Sequence, residues 1–82
     1  MLQVTLLTKA GCGLCDEVKE LLDAHASLYP HQLNLVDITT DPDLLRRYRY
    51  TIPVVKIGDT VMNAPISDAQ LLEALKTAVS SL

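Results

Sequence analysis

The sequence contains neither tryptophan nor phenylalanine. Leu, Val, Ile and Ala must therefore fill its interior. It has no basic excess: seven Lys and Arg stand against ten Asp and Glu, a formal net charge of -3. A phosphate backbone demands a basic surface, so nucleic acid is not an expected partner. No run approaches the roughly 18 apolar residues that a membrane span needs. Met1 to Leu7 is apolar but interrupted by Gln3 and Thr5, and it lacks the basic leader and small-residue cleavage site of a signal peptide. Repeats, linkers and low-complexity tracts are absent. These absences lead to the expectation of a cytoplasmic protein with no membrane partner. Cysteine is scarce too, with two in 82 residues. In a reducing compartment such a pair is an unusual structural staple, which raises a catalytic or metal-binding role.

What is present is globular in character, with 49% hydrophobic and 21% charged residues. The length predicts one domain, residues 1–82. A domain of this size buries roughly 60–65% of the surface its unfolded chain exposes. Gln3 to Leu7 alternates and carries β-branched residues, which reads as a strand. Lys9 to Gly13 is a turn. From Leu14 the period changes: Leu14, Val18, Leu21, Leu22 and His25 or Ala26 share one helical face, and Asp16, Glu17, Lys19, Glu20 and Asp23 the other. This helix is expected to end near Ser27 to Tyr29, since Pro30 cannot continue it. Leu33 to Ile38 is the second strand, which completes a βαβ unit with parallel pairing.

Thr40 or Asp41 then caps a short helix from Pro42 to about Tyr48. Ile52 to Ile57 is the third strand, with Pro53 near its beginning. Gly58-Asp59 turns it into a fourth strand, Thr60 to Met62, in an antiparallel hairpin. Ser67 to Gln70 fits a capping box, and Leu71, Leu72, Leu75 and Val79 line the last helix. The order βαβ-α-ββα predicts an α/β fold: one four-stranded mixed sheet with helices on both faces.

The cysteines lie together, as Cys12-Gly13-Leu14-Cys15 at the start of the first helix. Positions i and i+3 on a helix have Cβ atoms about 5–6 Å apart, so a modest adjustment closes a disulfide. A helix N-terminus favours thiolate over thiol. Cys12, at the very start, is the candidate nucleophile. Cys15, one turn in and more buried, is the candidate resolving thiol. Asp16 and Glu17 complement the helix dipole yet oppose thiolate formation. No metal site is assigned: His25 and His31 have no ligand spacing with the cysteines and are expected on the surface or in the core. Arg46, Arg47 and Arg49 read as a solvated helix face, and Tyr48 and Tyr50 as packing residues.

A Cys-x-x-Cys beside a βαβ pattern reads as a thioredoxin-like redox motif. The Cys12–Cys15 site after strand one, the Thr51-Ile52-Pro53 segment opening strand three, and the hairpin with its final helix resemble a glutaredoxin, of the thioredoxin superfamily, over nearly the whole chain. More narrowly, Asp41 to Tyr48 followed by Ile52-Pro53-Val54 resembles a family of small bacterial glutaredoxin-like proteins. The resemblance implies a thioredoxin fold, a cis peptide at Pro53, and a placement of that turn facing the cysteines. It implies that Lys9, Gly13, Leu14, Ile52, Pro53, Ser67 and Asp68 lie along a substrate site.

Two departures stand out. Gly13-Leu14 replaces the Pro-Tyr usual in dithiol glutaredoxins. Met62-Asn63-Ala64-Pro65 replaces the Gly-Gly that lets backbone approach glutathione. The expected function is a monomeric thiol-disulfide oxidoreductase with no bound cofactor, acting on a protein disulfide or on a glutathione mixed disulfide, with glutathione as a candidate co-substrate. Two alternatives stay open at this point. One is an iron–sulfur or metal carrier, which needs a dimer or glutathione to complete its ligands. The other is a redox-inert binding module on the same scaffold.

Overall fold

The computed structural model describes residues 1–82 and places the first apolar segment inside a four-stranded sheet. The elements are β1 (Leu2–Thr8), α1 (Gly13–Ala24), β2 (His31–Asp37), a 3-10 turn (Ile38–Thr40), α2 (Pro42–Tyr48), β3 (Val54–Ile57), β4 (Thr60–Asn63) and α3 (Asp68–Ser80). The strand order is β2-β1-β3-β4. β1 and β2 run parallel, in register from Leu2 opposite His31 to Thr8 opposite Asp37. β1 and β3 are antiparallel, with Leu6 opposite Val55. β3 and β4 form the expected hairpin, with Ile57 opposite Thr60 and Gly58 at φ +56 between them. A left-handed φ of that kind favours glycine.

Alternation along β1 divides the core in two. Val4 and Leu6, with Val55 and Ile57 of β3, meet Val18 and Leu22 of α1 and Leu71 and Leu75 of α3. Each fully buried Leu or Ile there contributes about 1.5–3 kcal/mol of transfer free energy. On the other face Leu7 and Val54 pack with Ile38, and Leu44, Leu45, Tyr48 and Ile52 close over them. The short α2 covers only this end. Farther along the same face the sheet is polar, and Gln3 links Gln32 (3.0 Å) and Asn34 (2.8 Å) across the strands.

Several boundaries differ from the sequence expectation. α1 stops at Ala24, short of the Ser27 to Tyr29 region. His25 ends it: its N–H bonds the Leu22 carbonyl at 3.2 Å, and its Nδ1 meets the Leu21 carbonyl at 2.9 Å. These contacts close the last helical carbonyls locally. β2 begins at His31 and ends at Asp37, so Ile38 leaves the strand for the 3-10 turn. The Asp37 carboxylate draws the chain into that turn by accepting from Thr39 N–H (2.9 Å) and Thr39 O–H (2.6 Å). β3 begins only at Val54, after Pro53. Tyr50 is not a packing residue: it is 85% exposed, and the Arg49 guanidinium stacks 4.7 Å from its ring centre. The helix starts agree with expectation. Asp41 caps α2 by accepting from Asp43 N–H at 2.9 Å.

Candidate active site

β1 delivers the chain to the loop that carries the cysteines. Gly11 turns it at φ +79, and the Cys12 N–H closes on the Lys9 carbonyl at 3.3 Å. Cys12 then adopts an extended conformation as the N-cap of α1, and its Sγ accepts the Cys15 N–H at 3.2 Å. Sulfur here takes the place that a serine or aspartate oxygen usually holds. Cys12 and Cys15 are joined as a disulfide, with Cα atoms 5.3 Å apart. Their exposures differ sharply. Cys15 is 1% exposed, beside Val18 and Leu22 on the buried side of α1, whereas Cys12 is half-buried. A reagent from solvent therefore meets Cys12.

A second loop is tied in from the far side of the sheet. Ile52–Pro53 is a cis peptide bond, in agreement with the resemblance, and Pro53 is fully buried. The Ile52 N–H bonds the Tyr48 carbonyl at 3.1 Å, while no protein donor meets the Ile52 carbonyl. The Ala64 N–H reaches the carbonyls of both Thr51 (3.1 Å) and Pro53 (3.0 Å), which fastens the end of β4 to this loop. Ala64–Pro65 is a second cis bond, which the sequence reading did not anticipate.

Between α1, Pro53 and the start of α3 lies a groove of ≈ 130 Å³. Leu14, Pro53, Ser67 and Asp68 line it together. Lys9, Gly13 and Ile52 do not. Lys9 is exposed without an ion pair, Gly13 is exposed at the first position of α1, and Ile52 packs beneath α2. Leu14 is not on the buried stripe of α1. It is 59% exposed and faces the groove, because the core side of the helix is taken by Cys15, Val18 and Leu22.

Sequence reasoning missed Glu17, Leu21, Pro65 and Ile66 as further parts of the groove. One signal was available: Ile66 before the Ser67 cap and Leu71 after Gln70 occupy the positions of a hydrophobic staple. The capping box itself is present. Ser67 Oγ accepts the Gln70 N–H at 3.1 Å, and Gln70 Oε1 accepts the Ser67 N–H at 3.0 Å.

The groups whose titration is displaced lie outside the groove. The hydroxyl and N–H of Thr39 hold the Asp37 carboxyl below its ordinary 3.8. A hydrogen bond to Asp23 raises Lys19 above 10.5. No group of three or more His, Cys, Asp or Glu side chains converges in a way that could hold a metal ion. No helix is long and apolar enough to cross a membrane.

Comparison with known proteins agrees with this geometry. A structural-genomics target protein, XcR50 from X. campestris, superposes with a TM-score of 0.74 at 27% identity, over 90% of this chain and 96% of that one. A malarial protein superposes with a TM-score of 0.69 at 17% identity, over 95% and 97% of the two chains. Buckwheat glutaredoxin, solved in complex with glutathione, does so with a TM-score of 0.60 at 22% identity, over 94% of this chain and 79% of that one. The fold is the thioredoxin-like fold that glutaredoxins share. The sequence model of the glutaredoxin-like domain (DUF836) matches residues 3–76, and with the Cys12–Cys15 pair in place this supports a redox role of the thioredoxin-superfamily kind. The chain belongs to the glutaredoxin-like domain family.

Proposed function

We propose that the protein is a thiol-disulfide oxidoreductase that reduces disulfides of proteins or mixed disulfides with glutathione. The observation that carries this reading is the asymmetry of the pair: a half-buried Cys12 at a helix start is bonded to a fully buried Cys15. In the reduced protein the Cys15 N–H and the helix dipole both favour negative charge on the Cys12 sulfur. The Cys12 thiolate attacks one sulfur of the substrate disulfide. A Cys12–substrate bond forms, the substrate S–S bond breaks, and the departing thiolate takes a proton. The Cys15 thiolate then attacks Cys12 Sγ, which releases the second substrate thiol and closes the Cys12–Cys15 disulfide. Two electrons have passed from the pair to the substrate. A thiol reductant, acting as one dithiol or two monothiols, restores the reduced pair, so the cycle belongs in a reducing compartment and needs no bound cofactor.

The test is a dithiol-driven assay of disulfide reduction with single-cysteine variants. Cys12→Ser is expected to bring the rate down to the uncatalysed background. Full activity in Cys12→Ser would sink the mechanism, and so would a thiol count that stays the same between oxidised and reduced preparations.

A further inference from the structure

The outer edge of β2 is the longest strand edge without a neighbour. β2 stands at one end of the sheet and pairs on one side only, with β1, in an unbroken register from His31 opposite Leu2 to Asp37 opposite Thr8. Its other side presents a row of unpaired backbone N–H and C=O groups. Exposed edges are usually blunted by a short strand, a bulge, a proline or a lysine. β4, the opposite edge, is short, with four residues. β2 has seven residues, its register has no bulge, and no lysine, arginine or proline stands between His31 and Asp37. Leu35, near its middle, is 51% exposed, although Leu6 opposite it on β1 is in the core.

The strand is complementary to itself. Laid antiparallel to a second copy with Asn34 opposite Asn34, all seven residues find a mate: His31 meets Asp37, Gln32 meets Val36, and Leu33 meets Leu35. Opposite residues of an antiparallel pair share a face. The leucines of both copies therefore extend the face on which Leu33 already packs against the core. Asp37, the one acid of the strand, stands opposite His31, so no like charges meet. On the other face the amides are ready to pair. Gln3 Nε2 donates to Gln32 Oε1 at 3.0 Å, and Asn34 Nδ2 donates to Gln3 Oε1 at 2.8 Å. Asn34 keeps its second amide N–H and its Oδ1, one donor and one acceptor, at the point where it faces its own copy. Moving the centre of the pairing to Leu35 sets Asp37 opposite Leu33, and moving it to Leu33 sets His31 opposite Leu35. Only the register centred on Asn34 uses the whole strand.

We propose that the protein associates through β2 into a two-fold symmetric dimer, with one eight-stranded sheet running across two antiparallel β2 strands, in place of the expected monomer. The two-fold axis uses up the open edge, so assembly stops at two. The two Cys12–Cys15 pairs fall at opposite ends of the joined sheet, and no residue of β2 lines the groove beside them. Dimerisation leaves both sites open.

The test joins sedimentation equilibrium with site-directed cross-linking. For the full chain, the average mass is expected to rise from 9.0 kDa toward twice that value between micromolar and millimolar concentration. Leu35→Lys, at an exposed position, sets an edge lysine opposite Leu33 of the second copy and keeps the mass at 9.0 kDa throughout, with an unchanged circular dichroism spectrum. Cross-linking fixes the register in a Cys12→Ser/Cys15→Ser background. Asn34→Cys is expected to form a covalent dimer on oxidation, because facing Cα atoms lie about 4.5–5.5 Å apart, within disulfide reach. Gln32→Cys stands four residues out of register with its counterpart, roughly 13 Å away, and cross-links at least about tenfold less. Val61→Cys, on the β4 edge, behaves like Gln32→Cys. A chain that stays at 9.0 kDa at millimolar concentration overturns the proposal. So does a dimer that persists in natively folded Leu35→Lys, or one that cross-links through Val61→Cys or Gln32→Cys as readily as through Asn34→Cys. If Leu35→Lys loses the native spectrum, the cross-linking series decides alone.

Discussion

Ser67→Ala separates two roles that one residue could hold, a helix cap and a substrate contact. The cap is visible as two reciprocal hydrogen bonds with Gln70, of 3.0 and 3.1 Å, both exposed to solvent. Water replaces exposed bonds, so the loss stays near the usual value for a removed N-cap, about 1 kcal/mol, with none of the penalty of a buried unsatisfied group. For a domain of this size about 1 kcal/mol lowers the melting temperature by roughly 4–8 °C. A series sharpens the expectation. Ser67→Gly costs only a few tenths of a kcal/mol, and Ser67→Asp keeps the cap. Urea titration and thermal denaturation of the oxidised protein measure the series at constant m-value. If Ser67 acts through capping, the dithiol-driven disulfide reduction keeps its rate well below the melting transition. Alanine and glycine variants as stable as wild type, or an alanine variant no worse than the aspartate one, would refute the capping argument.

Two further predictions concern the loop and the turn. Gly11→Ala is expected to cost about 1–2 kcal/mol, since φ +79 is left-handed backbone, whereas Gly13→Ala is expected to stabilise by about 0.4–1 kcal/mol, because an added Cβ meets nothing within 4 Å and the unfolded chain loses freedom. Urea denaturation reads both, and a shift in the same direction for the two would contradict the assigned backbone roles. Asp37 gives a pH signature: its folded-state carboxyl titrates below 3.8, so it adds stability above that pH and loses it as the pH falls through the folded value. The stability gap between wild type and Asp37→Ala should therefore be full at neutral pH and narrow below 3.8, measured by denaturant titration across pH; a gap that widens on acidification would refute the assignment.

The local chemistry of the chain was legible wherever one short segment decided the outcome. Cys12 and Cys15 sit at a helix start because glycines flank a turn after an alternating strand. The cap at Asp41 and the capping box at Ser67 follow from residue types three positions apart or fewer. What escaped depended on partners far along the chain. The burial of Cys15 follows from its place one turn into α1, but the apolar stripe also included Leu14, and only docking on the sheet turns Leu14 outward. Ile66 and Pro65 enter the groove because the Ala64 N–H is pinned to the Thr51 and Pro53 carbonyls, a link between distant segments. The strand order β2-β1-β3-β4 likewise rests on the antiparallel pairing of β1 with β3, for which no local pattern stands. Composition placed basic residues in α2 and acids in α1, but only the fold shows that the acids at Glu17 and Asp68 share one groove.

The most direct measurement of the central claim is the mass of a Cys15→Ser variant after exposure to a substrate disulfide. Cys12 is reachable and its resolving partner is gone, so the variant should accumulate a single mixed disulfide on Cys12 that a dithiol releases. The account is contradicted if Cys15→Ser stays unmodified while Cys12→Ser carries the adduct on Cys15, or if neither variant forms one.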